Sequence, residues 1–127
     1  MLIHKPGEFI PLPWSLGEVH VPGLYYDAIS KVTILRTTRN NLRDAMVRDA
    51  SLFQEIMMQT INIMSVYSNR IQILEYHTAR ERMVAQLIYL ARRFGEKKGN
   101  QVFIKVPVTH QDIADSINTT RETAVGH

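Results

Sequence analysis

Thr109-His110-Gln111-Asp112-Ile113-Ala114-Asp115-Ser116-Ile117-Asn118-Thr119-Thr120-Arg121-Glu122-Thr123 is the stretch that decides the fold. Thr109 with Asp112 reads as one capping box and Thr119 with Glu122 as another. In each, the cap hydroxyl takes an N–H of the first turn, and the acid three residues on returns to the cap. Two helix starts this close leave room for one short helix and a tight turn. Asn118 falls at that turn, where a left-handed residue is wanted and Asn is well tolerated. Ile113, Ile117 and Val125 are the expected buried positions, and Ala114 is small enough for two helices to cross closely. Two helices joined this way form a helix-turn-helix, whose second helix enters the DNA major groove with its first side chains against base edges.

The side chains at the head of the second helix suit that role. Arg121 can pair bidentately with guanine O6 and N7, and Glu122 can accept from a cytosine amino group. Thr109, Gln111, Thr120 and Thr123 are placed to hold phosphates, helped by N–H groups at helix starts. Bland readings stand beside these. The capping box alone explains Glu122, a solvated surface charge explains Arg121, and His110 reads as exposed with no metal partner near it.

Upstream, Thr78-Ala79-Arg80-Glu81 opens a helix to about Phe94, with Met83, Leu87, Leu90 and Ala91 on its inner face and Val84 and Ile88 beside them. Gly95 is placed to end it as a left-handed cap. Glu96 to Asn100 reads as a polar turn, and Val102 to Val106 as a strand stopped by Pro107. Earlier, Leu42, Ala45 and Met46 mark a short helix ending near Arg48. Asp49 or Ser51 can cap a longer one, since Ser51 to Gln54 also fits a capping box. Along it Phe53, Met57, Thr60, Met64, Tyr67, Ile71 and Leu74 repeat with strict 4-3 spacing, a coiled-coil seam. Ser51 to Tyr76 as one helix spans about 39 Å. Its stripe suits a partner helix, with packing on its own domain as the other reading.

Residues 1–40 read as strands and turns. Pro6-Gly7, Pro11, Pro13, Gly17 and Pro22-Gly23 forbid a helix, and Ile29 to Leu35 is the strongest strand expectation. Trp14, Tyr25 and Tyr26 line either a small-molecule pocket or the core.

The 127 residues suit one domain or two small ones. No apolar run approaches the roughly 18 residues of a membrane span, and the start has no signal-peptide pattern, so a cytoplasmic location is expected. With no cysteine, the chain forms no disulfide and holds no cysteine-bound cluster. Lys and Arg exceed Asp and Glu by 15 to 12. The excess lies beyond Tyr76, as fits a polyanion partner or an ordinary solvated surface. His4, His20, His77, His110 and His127 are scattered, and no phosphate loop, nucleophile motif or metal spacing occurs, so no enzyme is expected.

Thr109 to Ala114 followed by Thr120-Arg121-Glu122-Thr123 resembles the helix-turn-helix of the Crp/Fnr family of transcription regulators, in which Arg-Glu-Thr heads the second helix. Tyr67 to Phe94 resembles the end of that family's dimer helix and the first helix of its DNA-binding domain. His4-Lys5-Pro6-Gly7-Glu8-Phe9, with the strands expected after it, resembles the last part of the family's effector-binding β-roll. The resemblance implies an α+β fold. Residues 1–48 would be the terminal strands of a cyclic-nucleotide-binding-type β-roll with a short helix, 49–76 a dimerisation helix, and 77–127 a partial winged helix-turn-helix. It implies a homodimer on a palindromic DNA site, with Arg121 and Glu122 as base readers and RNA polymerase as a possible partner. Val21-Pro22 stands where cyclic-nucleotide binders carry an Arg-Ser pair, and no Lys or Arg occurs between Glu8 and Lys31. An unpaired buried phosphate is costly, so no cyclic AMP binding of the usual kind, and no other cofactor, is expected. The effector stays unknown. After Thr123 only Ala124-Val125-Gly126-His127 remain, so the reading helix and wing are expected to be incomplete. The alternative is a dimerisation or protein-interaction fragment without DNA binding.

Overall fold

The computed structural model describes residues 2–12, 16–17 and 25–125, the side chains of Glu122 and Val125 excepted. Trp14, Val21 and Pro22 lie outside the described residues, as does the Val125 side chain expected in the core. Among the described residues these elements run in order: α1 (Arg39–Arg48), α2 (Ala50–Glu75), α3 (Ala79–Phe94), β1 (Gly95–Lys98), β2 (Gln101–Ile104), α4 (His110–Ser116) and α5 (Arg121–Val125). The chain divides into two compact units, Leu2–Tyr67 and Ser68–His127, with the boundary inside α2.

In the first unit, Thr38 caps α1 by accepting from the Asn41 N–H at 3.1 Å. Asp49, rather than Ser51, caps α2. Its Oδ1 accepts from the N–H groups of Ser51 and Leu52 at 2.9 and 3.2 Å, and the Ser51 hydroxyl donates to it as well. Ser51 is thereby used up as a donor, and the Ser51–Gln54 box does not form. Leu12, Leu42 and Ile56 make the core of this unit, with Phe9, Leu16, Met46 and Leu52 against it. Burying each large aliphatic side chain contributes roughly 1.5–3 kcal/mol.

The strand expected over Ile29 to Leu35 is not formed in the described structure. The segment joins no ladder, and its apolar side chains are exposed on both faces, Leu35 to 95%. β-branched composition favours an extended chain, but a strand exists only through hydrogen bonds to a neighbour, and none pairs with it among the described residues.

In the second unit, the Thr78–Glu81 box starts α3 as expected. Its buried face is Met83, Gln86 and Leu90. Leu87, expected inside, is 40% exposed, whereas Gln86 is 2% exposed. Apolar residues surround most of this helix, so spacing alone does not choose between the 83-86-90 and 83-87-90 lines. The core of Ile73, Met83 and Ile117, with Ala85, Tyr89, Ile113 and Ala124, makes the choice.

Gly95 does not end α3 in the left-handed conformation. It is extended, with φ −81° and ψ 137°, and begins β1 directly. Glycine is needed there for space: a Cβ would strike the Ala91 carbonyl and come within 2.6 Å of Val102 Cγ1. The polar run Glu96 to Lys98, expected in a turn, is therefore a strand. It pairs antiparallel with Gln101 to Ile104, Glu96 opposite Phe103 and Lys97 opposite Val102. The turn shrinks to Gly99-Asn100, where Gly99 takes φ 61° as a two-residue hairpin with glycine first prefers. β2 stops at Ile104, short of the expected Val106.

Candidate nucleic-acid interface

The two helices at the end of the chain are set by local hydrogen bonds. Thr109 caps α4: its hydroxyl accepts from the Asp112 N–H at 3.1 Å, and Asp112 Oδ2 accepts from the Thr109 N–H at 2.7 Å. The Thr109 N–H and then the Thr109 hydroxyl, both donating to Asp112 Oδ2, hold the Asp112 carboxyl below the usual carboxylate range. α4 ends in a Schellman turn. The Asn118 N–H donates to Asp115 O at 3.3 Å and the Thr119 N–H to Ala114 O at 3.1 Å, with Asn118 left-handed at φ 54°.

That turn moves the second cap. Thr119 N–H is already engaged with α4, so Thr120, not Thr119, caps α5. Thr120 Oγ1 accepts from the Thr123 N–H at 3.3 Å, and its carbonyl accepts from the Ala124 N–H. Ala114 and Ile117 are fully buried and Ile113 is half-buried beside them, in line with their spacing.

Five of the six expected DNA-contacting side chains are described, namely Thr109, Gln111, Thr120, Arg121 and Thr123, and none of the five is buried. The side chain of the sixth, Glu122, lies outside the described residues. Thr109, Gln111 and Arg121 border one open groove of about 470 Å³ together with Val108 and His110. Thr120 and Thr123 stand one turn apart with hydroxyls at 3.0 Å. Gln111 Nε2 donates one of its two hydrogens to Asp115 at 2.6 Å, which fixes the amide and leaves the second hydrogen for an outside acceptor. The Thr109 hydroxyl both accepts and donates within its capping box. Arg121 forms no ion pair among the described residues and offers a full guanidinium fork at the head of α5.

The seam residues also have a clear placement. Phe53, Met57, Met64, Tyr67, Ile71 and Leu74 are all exposed, from 36% at Tyr67 to 62% at Met64. Ile56 and Ile73, on another side of α2, are at most 2% exposed. Thr60 donates its hydroxyl back to Ile56 O at 2.8 Å, so its polar group is satisfied within the helix.

Sequence reasoning misses Arg82. Its Nε donates to Ile117 O in the helix-turn-helix turn at 2.9 Å, and its Nη1 to the Tyr76 and His77 carbonyls at 2.9 and 3.2 Å. A cation near a helix N-terminus opposes the helix dipole, and that is the available signal that Arg82 has another task. The hairpin is the second omission. Within it Lys105 pairs with Glu96 at 2.7 Å and Lys98 lies over the Phe103 ring at 5.6 Å.

Among the described residues no cluster of His, Asp and Glu is placed to hold a metal, and no helix is long and apolar enough to cross a membrane. No curated protein matches the chain. Residues 81–125 match the family model of the Crp-like helix-turn-helix domain, which supports a Crp/Fnr-type regulator.

Proposed function

We propose that this chain is a DNA-binding transcription regulator that works as a homodimer on a two-fold symmetric site, each copy reading one half-site through α4 and α5. The carrying observation is the shared groove of Thr109, Gln111 and Arg121, built on two capped helices within the matched domain. On this reading Arg121 and Glu122 read base edges, and Thr109, Gln111, Thr120 and Thr123 contact phosphates. The Thr109 hydroxyl serves its cap first, so its phosphate contact is the weakest of the four. Pairing of two copies is supported by the row of exposed apolar side chains along α2. Residues 1–48 are assigned to the end of an effector-binding β-roll. The exposed, extended Ile29 to Leu35 segment is the part that needs a partner strand.

The test is selection of bound duplexes from a random pool, followed by anisotropy titration at several salt concentrations. The selected site should be a palindrome with half-sites about one helical turn apart, and affinity should fall steeply with salt. Arg121→Ala should relax the preference at one position per half-site, costing about 1–3 kcal/mol of discrimination. A dimer with no salt-sensitive DNA binding would instead mark the chain as a protein-interaction module.

A further inference from the structure

The carbonyl at the end of a helix has no partner within that helix, and Ile117, the C-cap of α4, carries such a carbonyl. Ile117 is fully buried, so its partner has to come from the protein. Arg82 Nε supplies it at 2.9 Å, from α3 and 35 positions earlier in the chain.

The guanidinium is itself held. Its Nη1 donates to the Tyr76 and His77 carbonyls at 2.9 and 3.2 Å, while Nε faces Ile117. A planar group anchored at two of its nitrogens cannot turn Nε away from the Ile117 carbonyl. Arg82 is half-buried and forms no ion pair among the described residues, so its donors go to neutral carbonyls rather than to a carboxylate. Ile117 also packs with Ile73 and Met83, but apolar contact is non-directional and does not fix the rotation of a turn. The bond from Arg82 is directional.

What moves the Ile117 carbonyl moves the reading side chain. The Asn118 and Thr119 N–H groups bond back to α4, so helix and turn form one piece. Arg121 follows four residues after Ile117 and shares its groove with Thr109 and Gln111. A contact to a base edge needs its donor held to about 0.5 Å, whereas phosphate contacts carry no sequence information. We propose that Arg82 is a positioning residue for base reading, which fixes Arg121 against the base edges by holding the Ile117 carbonyl. This rests on the DNA-reading function above and adds a residue outside α4 and α5 on which discrimination depends.

Anisotropy titration of the full chain tests this on the selected palindrome and on a scrambled duplex of the same composition, with wild type, Arg82→Lys and Arg82→Met. Lys keeps the positive charge but not the fork, and Met keeps only the stem. The ratio of the two affinities should fall about tenfold in Arg82→Lys and at least as far in Arg82→Met. Scrambled-duplex affinity and its salt slope should stay at wild-type values in Arg82→Lys, because the charge is unchanged. Partial unfolding lowers both affinities by one factor and leaves their ratio alone, so the ratio separates positioning from stability. A wild type that does not discriminate between the duplexes overturns the DNA-reading function and this inference with it. A discriminating wild type with either variant keeping the wild-type ratio overturns the part of Arg82 alone.

Discussion

Arg82 Nε lies 2.9 Å from the carbonyl oxygen of Ile117, so a side chain near the start of α3 holds the turn that sets α4 against α5. The same guanidinium takes the carbonyls of Tyr76 and His77, the residues that lead from α2 into α3. One cation thereby satisfies three backbone acceptors. Hydrogen bonds to a charged group are worth about 1.5–3 kcal/mol each when a partner is removed. Arg82→Met keeps the apolar stem and removes all three bonds. It should destabilise the chain by about 2–4 kcal/mol, read from denaturant midpoints at unchanged slope. An Arg82→Met chain as stable as wild type would show that water satisfies these carbonyls equally well.

Two glycines of the hairpin should respond unequally to the same change. Gly95 has no room for a Cβ, because the Ala91 carbonyl and Val102 Cγ1 occupy the place. Both obstacles are fixed, one by the α3 backbone and the other by the β1–β2 pairing. Gly99 has open space around it but a left-handed φ of 61°. Gly99→Ala should cost about 1 kcal/mol of left-handed strain. Gly95→Ala should cost more, about 2–3 kcal/mol, because overpacking has to move backbone. Thermal unfolding of the two variants side by side checks the order, and a reversed order would contradict the steric account of Gly95.

The capping boxes make stability sensitive to acid. The Thr78 hydroxyl, then its N–H, holds Glu81 below the usual carboxylate range, and the Thr109 N–H, then its hydroxyl, does the same for Asp112. A folded-state pKa lowered in this way adds stability above the unfolded pKa and loses it as pH falls through the folded one. The loss therefore begins near pH 4 and continues below it, about the ordinary carboxylate pKa. The double variant Glu81→Gln, Asp112→Asn keeps side-chain acceptors but has nothing to titrate. Its melting temperature should fall less steeply than that of wild type between about pH 5 and pH 2. Parallel curves would mean that the boxes do not couple protonation to folding.

What is legible in the sequence is what is decided locally. Thr78 and Thr109 announce their helices because a cap and its acid lie three residues apart. Asn118 announces the turn because few residues tolerate a positive φ. The exposed seam on α2 comes from spacing alone. What is illegible depends on contacts far along the chain or on a neighbour's demand. Gly95 reads as a cap because glycine fits both roles, and only the approach of Val102 separates them. Glu96 to Lys98 carries no strand propensity and becomes a strand because β2 pairs with it. Ile29 to Leu35 has the propensity and lacks the neighbour among the described residues. Thr119 loses its cap to Thr120 because its N–H is spent on Ala114. Arg82 and Ile117 are 35 positions apart, beyond the reach of any local pattern.

Asn118 offers the sharpest test of the turn between α4 and α5. Its φ of 54° lies in the left-handed region, where a Cβ crowds the next carbonyl and costs roughly 1–2 kcal/mol for an ordinary residue. Asn lowers that cost and Gly removes it, whereas a β-branched side chain raises it. The turn's two closing bonds, from the Asn118 and Thr119 N–H groups, come from the backbone and survive any of these changes. Differences among variants at this position therefore report conformational strain rather than lost hydrogen bonds. Asn118→Gly should leave stability within about 0.5 kcal/mol, Asn118→Ala should lose about 1 kcal/mol, and Asn118→Val should lose more than Ala. The same order should appear in DNA affinity, because a turn that leaves the left-handed region swings Arg121 away from the groove it shares with Thr109 and Gln111. Denaturant unfolding and anisotropy titration on one variant set measure both. If Val is tolerated as well as Gly in each assay, the left-handed turn is not what holds the two helices in place.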